Sequence, residues 1–285
     1  MLKKTKNIQI SVVIAVYNRG GHLRYCLESL ARQTYKDFEI VIADDGSGPE
    51  VKELIDGFRQ YLTIKHVWQE DKNFRKCLIL NKAVKISSGK QLFFFDGDVI
   101  VHPRYLEVSR KYVQEGQYMI SRSAYLSETL TQKIFRKKMT VQQIFSAGFF
   151  LITTKDWIFG KTRFFEYGIF LPEALSKIAS GLKKDKHIFG RCWAVQRSDY
   201  EKINGYNNDF VGAYYEDFEI TARLNFSGAK PVLLIDRAVS WHLFHKRVSM
   251  EPQNLEIYAR IKELRNPRCA NGMDQINPED IGELK

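Results

Sequence analysis

Residues 91–98 read Gln-Leu-Phe-Phe-Phe-Asp-Gly-Asp, an apolar run that ends in two carboxylates separated by a glycine. A short apolar run that stops at turn-forming residues is typical of a buried strand. The triplet Asp96-Gly97-Asp98 then follows at the carboxyl end of that strand. Ligands of open α/β sheets bind beyond the carboxyl ends of the strands. We therefore expect the functional site to include this triplet.

The residues before this strand alternate between strand and helix patterns. The predicted elements are a strand over 8–16, a helix with Leu23, Cys26, Leu27 and Leu30 on one face, a strand over 38–43, a helix over 50–60, a strand over 64–68 and a helix carrying Cys77, Leu80 and Val84. Such alternation predicts right-handed βαβ units. The fold class is therefore α/β, with a mostly parallel, Rossmann-like central sheet and helices on both faces.

Two further polar clusters follow predicted strands. They are Tyr17-Asn18-Arg19 and Asp44-Asp45-Gly46-Ser47. Parallel strands bring their carboxyl ends to one edge of the sheet. The sequence thus predicts that Asp44, Asp45, Asp96 and Asp98 share one rim.

The second half of the chain has a less regular pattern. Helices are predicted over 197–203 and 216–227 and a strand over 231–235, whereas 121–190 shows no clean period. The tail beyond Pro267 is polar, and we expect it to be poorly ordered.

Composition places the chain among folded proteins. Hydrophobic residues make up 44% and charged residues 27% of the 285 residues, which excludes a disordered chain. No apolar run reaches the ~18 residues of a membrane span, and residues 1–9 are too short for a secretory signal. We expect a cytoplasmic protein with four buried, free cysteines, with peripheral contact at the inner face of the cell membrane as a further hypothesis.

Positive charge is concentrated in one stretch. The net charge of the chain is +11, and residues 133–191 contain twelve Lys and Arg against four Asp and Glu. This pattern is typical of a surface that binds phosphate groups, an anionic membrane or nucleic acid, or of a solvated basic surface. Aromatic residues such as Trp157 and Phe159 alternate with Lys161 and Arg163. They indicate either a membrane-facing segment or a core beneath a loop.

The four carboxylates at the strand ends are compatible with a metal site, with a nucleotide site or with structural turns alone. Asp96 and Asp98 would raise each other's pKa unless a cation such as Mg²⁺ or Mn²⁺ lies between them, although acidic turns are also common. Asp44 and Asp45 either accept the imide N–H of a uracil or cap the next helix.

Two further pairs of residues also have both a functional and a purely structural interpretation. Glu216-Asp217 begins a predicted helix, where acids complement the helix dipole, and a carboxylate there can also take a proton from a sugar hydroxyl. His242 and His245 are spaced to share a metal ion, or they are ordinary histidines.

In combination, these motifs resemble glycosyltransferase family 2. The matching segments are 10–19, 27–34, 38–47, 80–84 and 95–98. In the second half, Asn204-Gly205-Tyr206, 215–219 and 242–245 resemble the C-terminal region of chondroitin-polymerase-type enzymes and animal β-galactosyltransferases. The resemblance implies the GT-A fold and inversion at the anomeric carbon of the donor sugar.

The resemblance also implies roles for single residues. Asp217 would be the catalytic base and Glu216 would contact a sugar, while Asp98, His245 and His242 would bind Mn²⁺ or Mg²⁺. The nucleotide would contact the remaining site residues, which are Ala15, Tyr17, Arg19, Asp44, Asp45, Arg75, Asp96 and Gly97.

The implied partners are a nucleotide-sugar, with UDP-sugars favoured by Asp45, and a glycan or lipid-linked glycan acceptor of surface polysaccharide or lipopolysaccharide synthesis. No nucleic acid is expected. Residues 1–120 would form the nucleotide-sugar-binding half of one GT-A domain and 121–250 its acceptor-binding and catalytic-base half. Residues 251–285 would add a C-terminal helix and tail.

Two other functions compete with the transferase interpretation. A sugar-phosphate nucleotidyltransferase needs a Gly-x-Gly loop after its first strand, whereas residues 17–21 read Tyr-Asn-Arg-Gly-Gly. A non-catalytic protein on a transferase fold, which binds an anionic membrane or nucleic acid through residues 133–191, remains the alternative.

Overall fold

The computed structural model describes residues 8–246 and 249–284. The strands within these ranges are β1 (Ile10–Val16), β2 (Phe38–Asp44), β3 (Ile64–Trp68), β4 (Gln91–Asp96), β5 (Val99–Val101), β6 (Gln117–Ile120), β7 (Ser123–Tyr125), β8 (Cys192–Gln196), β9 (Lys230–Leu233), β10 (Ser240–His242) and β11 (Glu283–Leu284).

Helices connect most of these strands. They are α1 (Gly20–Ala31), α2 (Pro49–Phe58), α3 (Lys76–Ile86), α4 (Tyr105–Ser109), α5 (Glu128–Phe135), α6 (Val141–Ile144), α7 (Ala147–Ile158), α8 (Glu173–Gly181), α9 (Arg197–Lys202), α10 (Glu216–Phe226) and α11 (Pro252–Leu264). None of the described helices is both long enough and apolar enough to span a bilayer.

The central sheet confirms the predicted α/β class. Its strand order is β11-β3-β2-β1-β4-β8-β6-β9. β3, β2, β1 and β4 are parallel, and so are β6 and β9, whereas β8 runs antiparallel between β4 and β6. Strand β8 comes from the second half of the chain, so both halves build one sheet.

Both faces of this sheet are covered by apolar side chains. Along β4, Phe93 and Phe95 belong to one core cluster, while Phe94 belongs to the other. Phe94 stacks on Trp193 with ring centroids 4.6 Å apart. Because successive side chains of a strand point to opposite faces, this alternation shows a three-layer arrangement with the sheet in the middle.

The elements predicted in the first hundred residues are confirmed with small shifts at their ends. β3 has the predicted bounds, and α2 begins one residue earlier than predicted, at Pro49. In the second half, β9 covers Lys230–Leu233 instead of 231–235.

A small second sheet positions part of the functional site. Its order is β5-β10-β7, and its register pairs His242 with Val99. Since Val99 directly follows Asp98, this pairing brings His242 beside the acidic triplet.

The stretch 121–190, for which no period was evident, contains β7, the α-helices α5 to α8 and a 3-10 helix over Phe165–Gly168. Three of these helices begin at hydroxyl side chains that accept a backbone N–H, namely Ser127, Thr140 and Ser146. Such N-caps stabilise a helix by about 1 kcal/mol each. The helices therefore depend on local caps more than on a long apolar stripe.

The tail beyond Pro267 corrects the expectation of poor order. Cys269, Met273 and Ile276 are buried. The Asn204 side chain donates to the Cys269 carbonyl at 3.0 Å and accepts from the Asp274 N–H at 2.8 Å. Polar composition misled the prediction, because three spaced apolar side chains and one asparagine are enough to dock this segment. Cys26, Cys77, Cys192 and Cys269 are buried free thiols, as predicted.

Candidate active site

A cavity of about 1250 Å³ lies at the carboxyl ends of β1, β2 and β4. The predicted site residues that line it are Ala15, Tyr17, Arg19, Asp45, Asp96, Gly97, Asp98, Glu216, Asp217, His242 and His245. Asp44 and Arg75 are not among the lining residues of the described chain. The fold thus brings together side chains more than two hundred positions apart in sequence.

The acidic triplet is held against β1 by its glycine. The Gly97 N–H donates to the Ala15 carbonyl at 2.9 Å, and a Cβ added at Gly97 would lie 3.0 Å from that same oxygen. The backbone approach is therefore close enough to favour glycine. It sets Asp96 and Asp98 on either side of the turn.

Asp98 faces two imidazoles. His242 Nε2 lies 3.4 Å from Asp98 Oδ1, and His245 Nε2 lies 3.1 Å from Asp98 Oδ2. The three residues offer ligand atoms that all lie within 4.8 Å of one another. Arg19 also approaches Asp98 Oδ2, at 3.4 Å.

The protonation states of this triad suit a metal site. Burial lowers the pKa of His242 to about 4, so its imidazole is neutral at pH 7. Burial acts to raise the pKa of Asp98, but His242, His245 and Arg19 outweigh it and hold that pKa well below its ordinary value. Asp98 Oδ1 is buried and accepts no hydrogen bond from the described residues. The hydrogen bond to Asp98 raises the pKa of His245 above its ordinary value, so a metal ion would have to displace a proton there. An ionised carboxylate beside the neutral His242 imidazole and His245 is a donor set that fits a divalent cation.

Asp45 and Asp44 have different surroundings. Asp45 lines the cavity and accepts hydrogen bonds from the Gln69 side chain at 2.6 Å and the Arg75 N–H at 2.7 Å. Asp44 accepts from the Ser47 N–H at 2.8 Å and lies 2.9 Å from His66 Nε2. Asp44 therefore shapes the loop behind Asp45.

Tyr17 and Arg75, which were both predicted to contact the nucleotide, differ in position. Tyr17 is 42% exposed and lines the cavity, with its hydroxyl donating to Asp71 at 2.9 Å. The Arg75 guanidinium donates to the Glu70 carbonyl. Arg75 also occupies the position before α3, where its N–H binds Asp45.

Glu216, which is buried, and Asp217, which is half-buried, form an acid pair at the N-terminus of α10. The two preceding residues, Tyr214 and Tyr215, both have positive φ, at 76° and 73°. Non-glycine residues rarely adopt this conformation, and it persists only where the surrounding structure holds it. The strained turn aims the first residues of α10 at the cavity.

The pKa values of both acids are raised. Burial and the neighbouring Asp217 raise the pKa of Glu216 to about 8, against the opposing charge of Lys76. Burial likewise raises the pKa of Asp217, again opposed by Lys76. Glu216 Oε2 and Asp217 Oδ1 are buried without a hydrogen-bond partner in the described chain. Each acid thus keeps one oxygen that is shielded from solvent and whose hydrogen-bonding capacity is unused.

Lys76 was missed by the sequence analysis. Its Nζ lies 2.8 Å from Asp96 Oδ1 and 3.9 Å from Glu216 Oε1. Burial disfavours the ammonium, yet the charges of Asp96, Asp217 and Glu216 raise the pKa of Lys76 above its ordinary value. Lys76 is therefore a charged group that links the β4 triplet to the α10 acid pair.

Gly190 and Arg191 were also missed. A Cβ at Gly190 would lie 3.0 Å from Asp217 Oδ2 and 3.1 Å from Asp96 Oδ2. Arg191 lines the cavity, and its guanidinium lies 4.6 Å from the centre of the Tyr125 ring. Both residues directly precede β8, a strand that the sequence analysis did not predict.

With this geometry established, the comparisons with known proteins identify the family. The sequence model described as Glycosyl transferase family 2 matches residues 11–204. The chain belongs to glycosyl transferase family 2. A second model, described as the N-terminal domain of galactosyltransferase, matches residues 180–263, which confirms the mixed resemblance read from the sequence.

Curated relatives of this glycosyltransferase match between a third and a half of its chain. A validoxylamine A glucosyltransferase from Streptomyces hygroscopicus subsp. jinggangensis is 38% identical over 100 residues, which are 34% of this chain and 24% of that protein. The chondroitin synthase of Escherichia coli is 31% identical over 99 residues, 34% of this chain and 14% of that protein. The matched segment is thus a small part of each relative.

Solved structures show the same GT-A fold. Staphylococcus aureus TarS has a TM-score of 0.62 at 15% identity, covering 90% of this chain and 39% of that one. A mannosyltransferase from Pyrobaculum calidifontis, PcManGT, has a TM-score of 0.55 at 17% identity, covering 93% of this chain and 66% of that one. The glycosyltransferase therefore has a GT-A architecture, as predicted.

Proposed function

We propose that this glycosyltransferase moves a sugar from a UDP-sugar to a hydroxyl of a glycan or lipid-linked glycan, with inversion at the anomeric carbon. The observation that carries the proposal is a single cavity that joins three elements. These are the Asp98, His242 and His245 triad, the β1–β2 wall with Asp45, and the Glu216-Asp217 pair.

Asp217 is the proposed catalytic base. It is half-buried and lines the cavity, and desolvation raises its pKa. A base whose pKa lies closer to neutral pH takes a hydroxyl proton more readily. Asp217 would accept the proton of the acceptor hydroxyl while that oxygen attacks the anomeric carbon from the face opposite the leaving group.

A divalent cation is the proposed cofactor. Asp98, His242 and His245 would hold it, and a cation there would stabilise the negative charge of the departing nucleoside diphosphate. The mixed imidazole and carboxylate ligands favour Mn²⁺ over Mg²⁺, which prefers oxygen ligands. PcManGT was solved in complex with GDP-Man and Mn²⁺, which supports this assignment.

The proposed donor pocket is the wall formed by Ala15, Tyr17 and Asp45. Both Asp45 oxygens already accept one hydrogen bond, and each carboxylate oxygen has capacity for a second, so the uracil imide N–H has an acceptor. Arg75 can contact the nucleotide after its guanidinium leaves the Glu70 carbonyl. A TarS structure contains UDP-GlcNAc, which supports a UDP-sugar.

The proposed acceptor side consists of residues 121–250. Tyr214 and Phe164 line the cavity and are partly exposed, so their rings are available to stack on a sugar face. We propose that the acceptor belongs to surface polysaccharide or lipopolysaccharide synthesis and that the reaction occurs on the cytoplasmic side of the membrane.

An Asp217→Asn variant tests the function. We expect turnover of the preferred UDP-sugar to fall about 10²–10⁴-fold, because the amide cannot accept the hydroxyl proton, while UDP affinity is unchanged. Release of UDP would be measured with Mn²⁺ over a panel of UDP-sugars, with titration of UDP as the control. Equal turnover in variant and wild type would refute Asp217 as the base.

A further inference from the structure

Helix α7 leaves most of its apolar side chains outside the protein core. Leu151, Ile158 and Phe159, the residue that follows the helix, are 70%, 67% and 65% exposed. Within α7, the buried side chains are Phe149 and Thr153. Such a large exposed apolar surface on a folded protein marks an interaction site.

These exposed residues share one face of the helix. Leu151, Ile152, Lys155 and Ile158 follow the spacing i, i+1, i+4 and i+7, which places them on one side of an α-helix. Lys155 is exposed in the middle of this apolar stripe. A long lysine side chain lets its stem lie along an apolar surface while its charge reaches water or a phosphate. We name residues 151, 152, 155, 158 and 159 the α7 face.

The other side of α7 is fixed to the active site. The Phe149 ring packs edge-on against Trp241 with ring centroids 5.2 Å apart, and Trp241 precedes the candidate metal ligand His242. Three residues after the helix, the segment 161–164 lines the cavity. Whatever covers the α7 face therefore lies close in the chain to the 161–164 wall of the cavity.

Charge decides between the possible occupants. Residues 133–191 contain twelve Lys and Arg against four Asp and Glu. Lys155 on the α7 face and Lys161 and Arg163 just after the helix are exposed. Two copies that met through this face would bring these like charges together, whereas an anionic surface would attract them. Helices at the membrane interface combine an apolar face with neighbouring Lys or Arg.

We propose that the α7 face docks on an anionic lipid bilayer, with its apolar side chains inserted among the headgroups. Docking would direct the 161–164 wall of the cavity toward a lipid-linked acceptor in the same membrane. The presence of a lipid-linked acceptor rests on the proposed transferase function, whereas the docking itself does not.

Vesicle flotation of the full chain, without nucleotide, tests the docking. We expect binding to vesicles that contain phosphatidylglycerol, weaker binding to phosphatidylcholine alone, and a further loss at high salt. A Leu151→Glu/Ile158→Glu variant should bind about tenfold more weakly or worse, because carboxylates would enter the headgroup region. Tyr61→Glu/Leu264→Glu, at positions of similar exposure elsewhere, is the matched control and should bind like wild type.

A second readout reports on the helix directly. Trp157 is 48% exposed, whereas Trp193 and Trp241 are buried. Because Trp157 lies off the α7 face and contacts Phe165 at 4.8 Å between ring centroids, the reporter is an added tryptophan, Ile152→Trp. Vesicle binding should shift the emission of this variant to shorter wavelength more than that of wild type, and an equal shift in both would contradict the docking.

The outcomes are distinct. Failure of wild type to bind anionic vesicles, or equal binding by the α7 variant, would overturn the proposal. So would a wild-type dimer that the α7 variant turns into a monomer, since the face would then join two copies. UDP titration separates the docking hypothesis from the proposed donor. Unchanged UDP affinity of the α7 variant, together with lost flotation, supports docking. Absent UDP binding by wild type contradicts only the proposed donor.

Discussion

At the scale of single residues, Lys76 supplies the positive charge that offsets the carboxylates of the candidate active site. It is the cation nearest to Asp96 and Glu216 in the described chain, and its charge lowers the pKa of both acids of the α10 pair. Without it, three carboxylates would face one another in a buried place. We infer that Lys76 keeps Asp217 ionised enough to act as a base.

A Lys76→Met variant tests this positioning role. We expect the acidic limb of the pH–rate profile to move to higher pH, since the pKa of Asp217 rises when the neighbouring cation is removed. The rate at neutral pH should fall about tenfold or more. UDP-sugar hydrolysis measured across pH gives the profile, with Lys76→Arg as the charge-preserving control. An unmoved profile would mean that Lys76 has only a structural role.

The stability of the protein without ligands should depend on Glu216. Its pKa is raised to about 8 by burial and by Asp217, so the folded state binds this proton more tightly than the unfolded state does. Its contribution to stability is present at low pH and is lost as pH rises toward 8. Glu216→Gln should therefore stabilise the protein at about pH 9 and have little effect at about pH 5.

Urea unfolding of wild type and Glu216→Gln at several pH values measures this difference. Glu53→Gln, at an exposed position of α2, is the control and should show no such trend. A Glu216→Gln effect that is independent of pH would contradict the account.

Single residues of the site were predictable only where they follow a strand or match a motif of the family. Asp45, Asp96 and Asp98 follow apolar runs, so their shared edge of the sheet followed from topology. Lys76 stands beside Arg75 at the start of a helix, and nothing in that local pattern shows that its partner Glu216 lies 140 positions later. Long-range proximity of this kind comes from the tertiary fold.

At the scale of elements, the turn between α9 and α10 depends on a glycine. Gly205 has φ +67°, and a Cβ there would lie 2.3 Å from Asn81 Oδ1. That oxygen already accepts hydrogen bonds from the Tyr200 hydroxyl at 2.7 Å and the Tyr206 N–H at 3.0 Å. The turn therefore ties the second half of the chain to α3.

Gly205→Ala should destabilise the protein by about 2–4 kcal/mol, because it combines backbone strain with the loss of buried hydrogen bonds. Gly57→Ala is the contrast, since a Cβ at this α2 position meets no atom within 4 Å. It should stabilise the helix by up to about 1 kcal/mol. Chemical denaturation compares the two variants, and equal effects would show that the turn tolerates a side chain.

Elements were predictable where packing gives a strong period. The strands β1, β2 and β4 are largely buried and read as nearly continuous apolar runs, so sequence patterns predicted them closely. Helix α7 buries only Phe149 and Thr153 of its own side chains, so the periodic pattern of a core-facing helix is absent. The tail escaped prediction because its order comes from contacts with Asn204 rather than from its own composition.

At the scale of the whole molecule, the site exists because both halves of the chain share one sheet. Strand β8 from the second half separates β4 from β6, and β10 places His242 beside Asp98 through its pairing with β5. The Asp98, His242 and His245 triad and the Glu216-Asp217 pair thus depend on both halves of the chain. The exposed α7 face lies on the same assembly, next to the segment that lines the cavity.

Calorimetric titration tests the central claim most directly. UDP, GDP and dTDP would each be titrated with and without Mn²⁺ into wild type and Asp98→Ala. The account predicts that UDP binds wild type only with Mn²⁺ and that Asp98→Ala abolishes this binding. Absence of binding by every nucleotide, or UDP binding that needs neither Mn²⁺ nor Asp98, would contradict it.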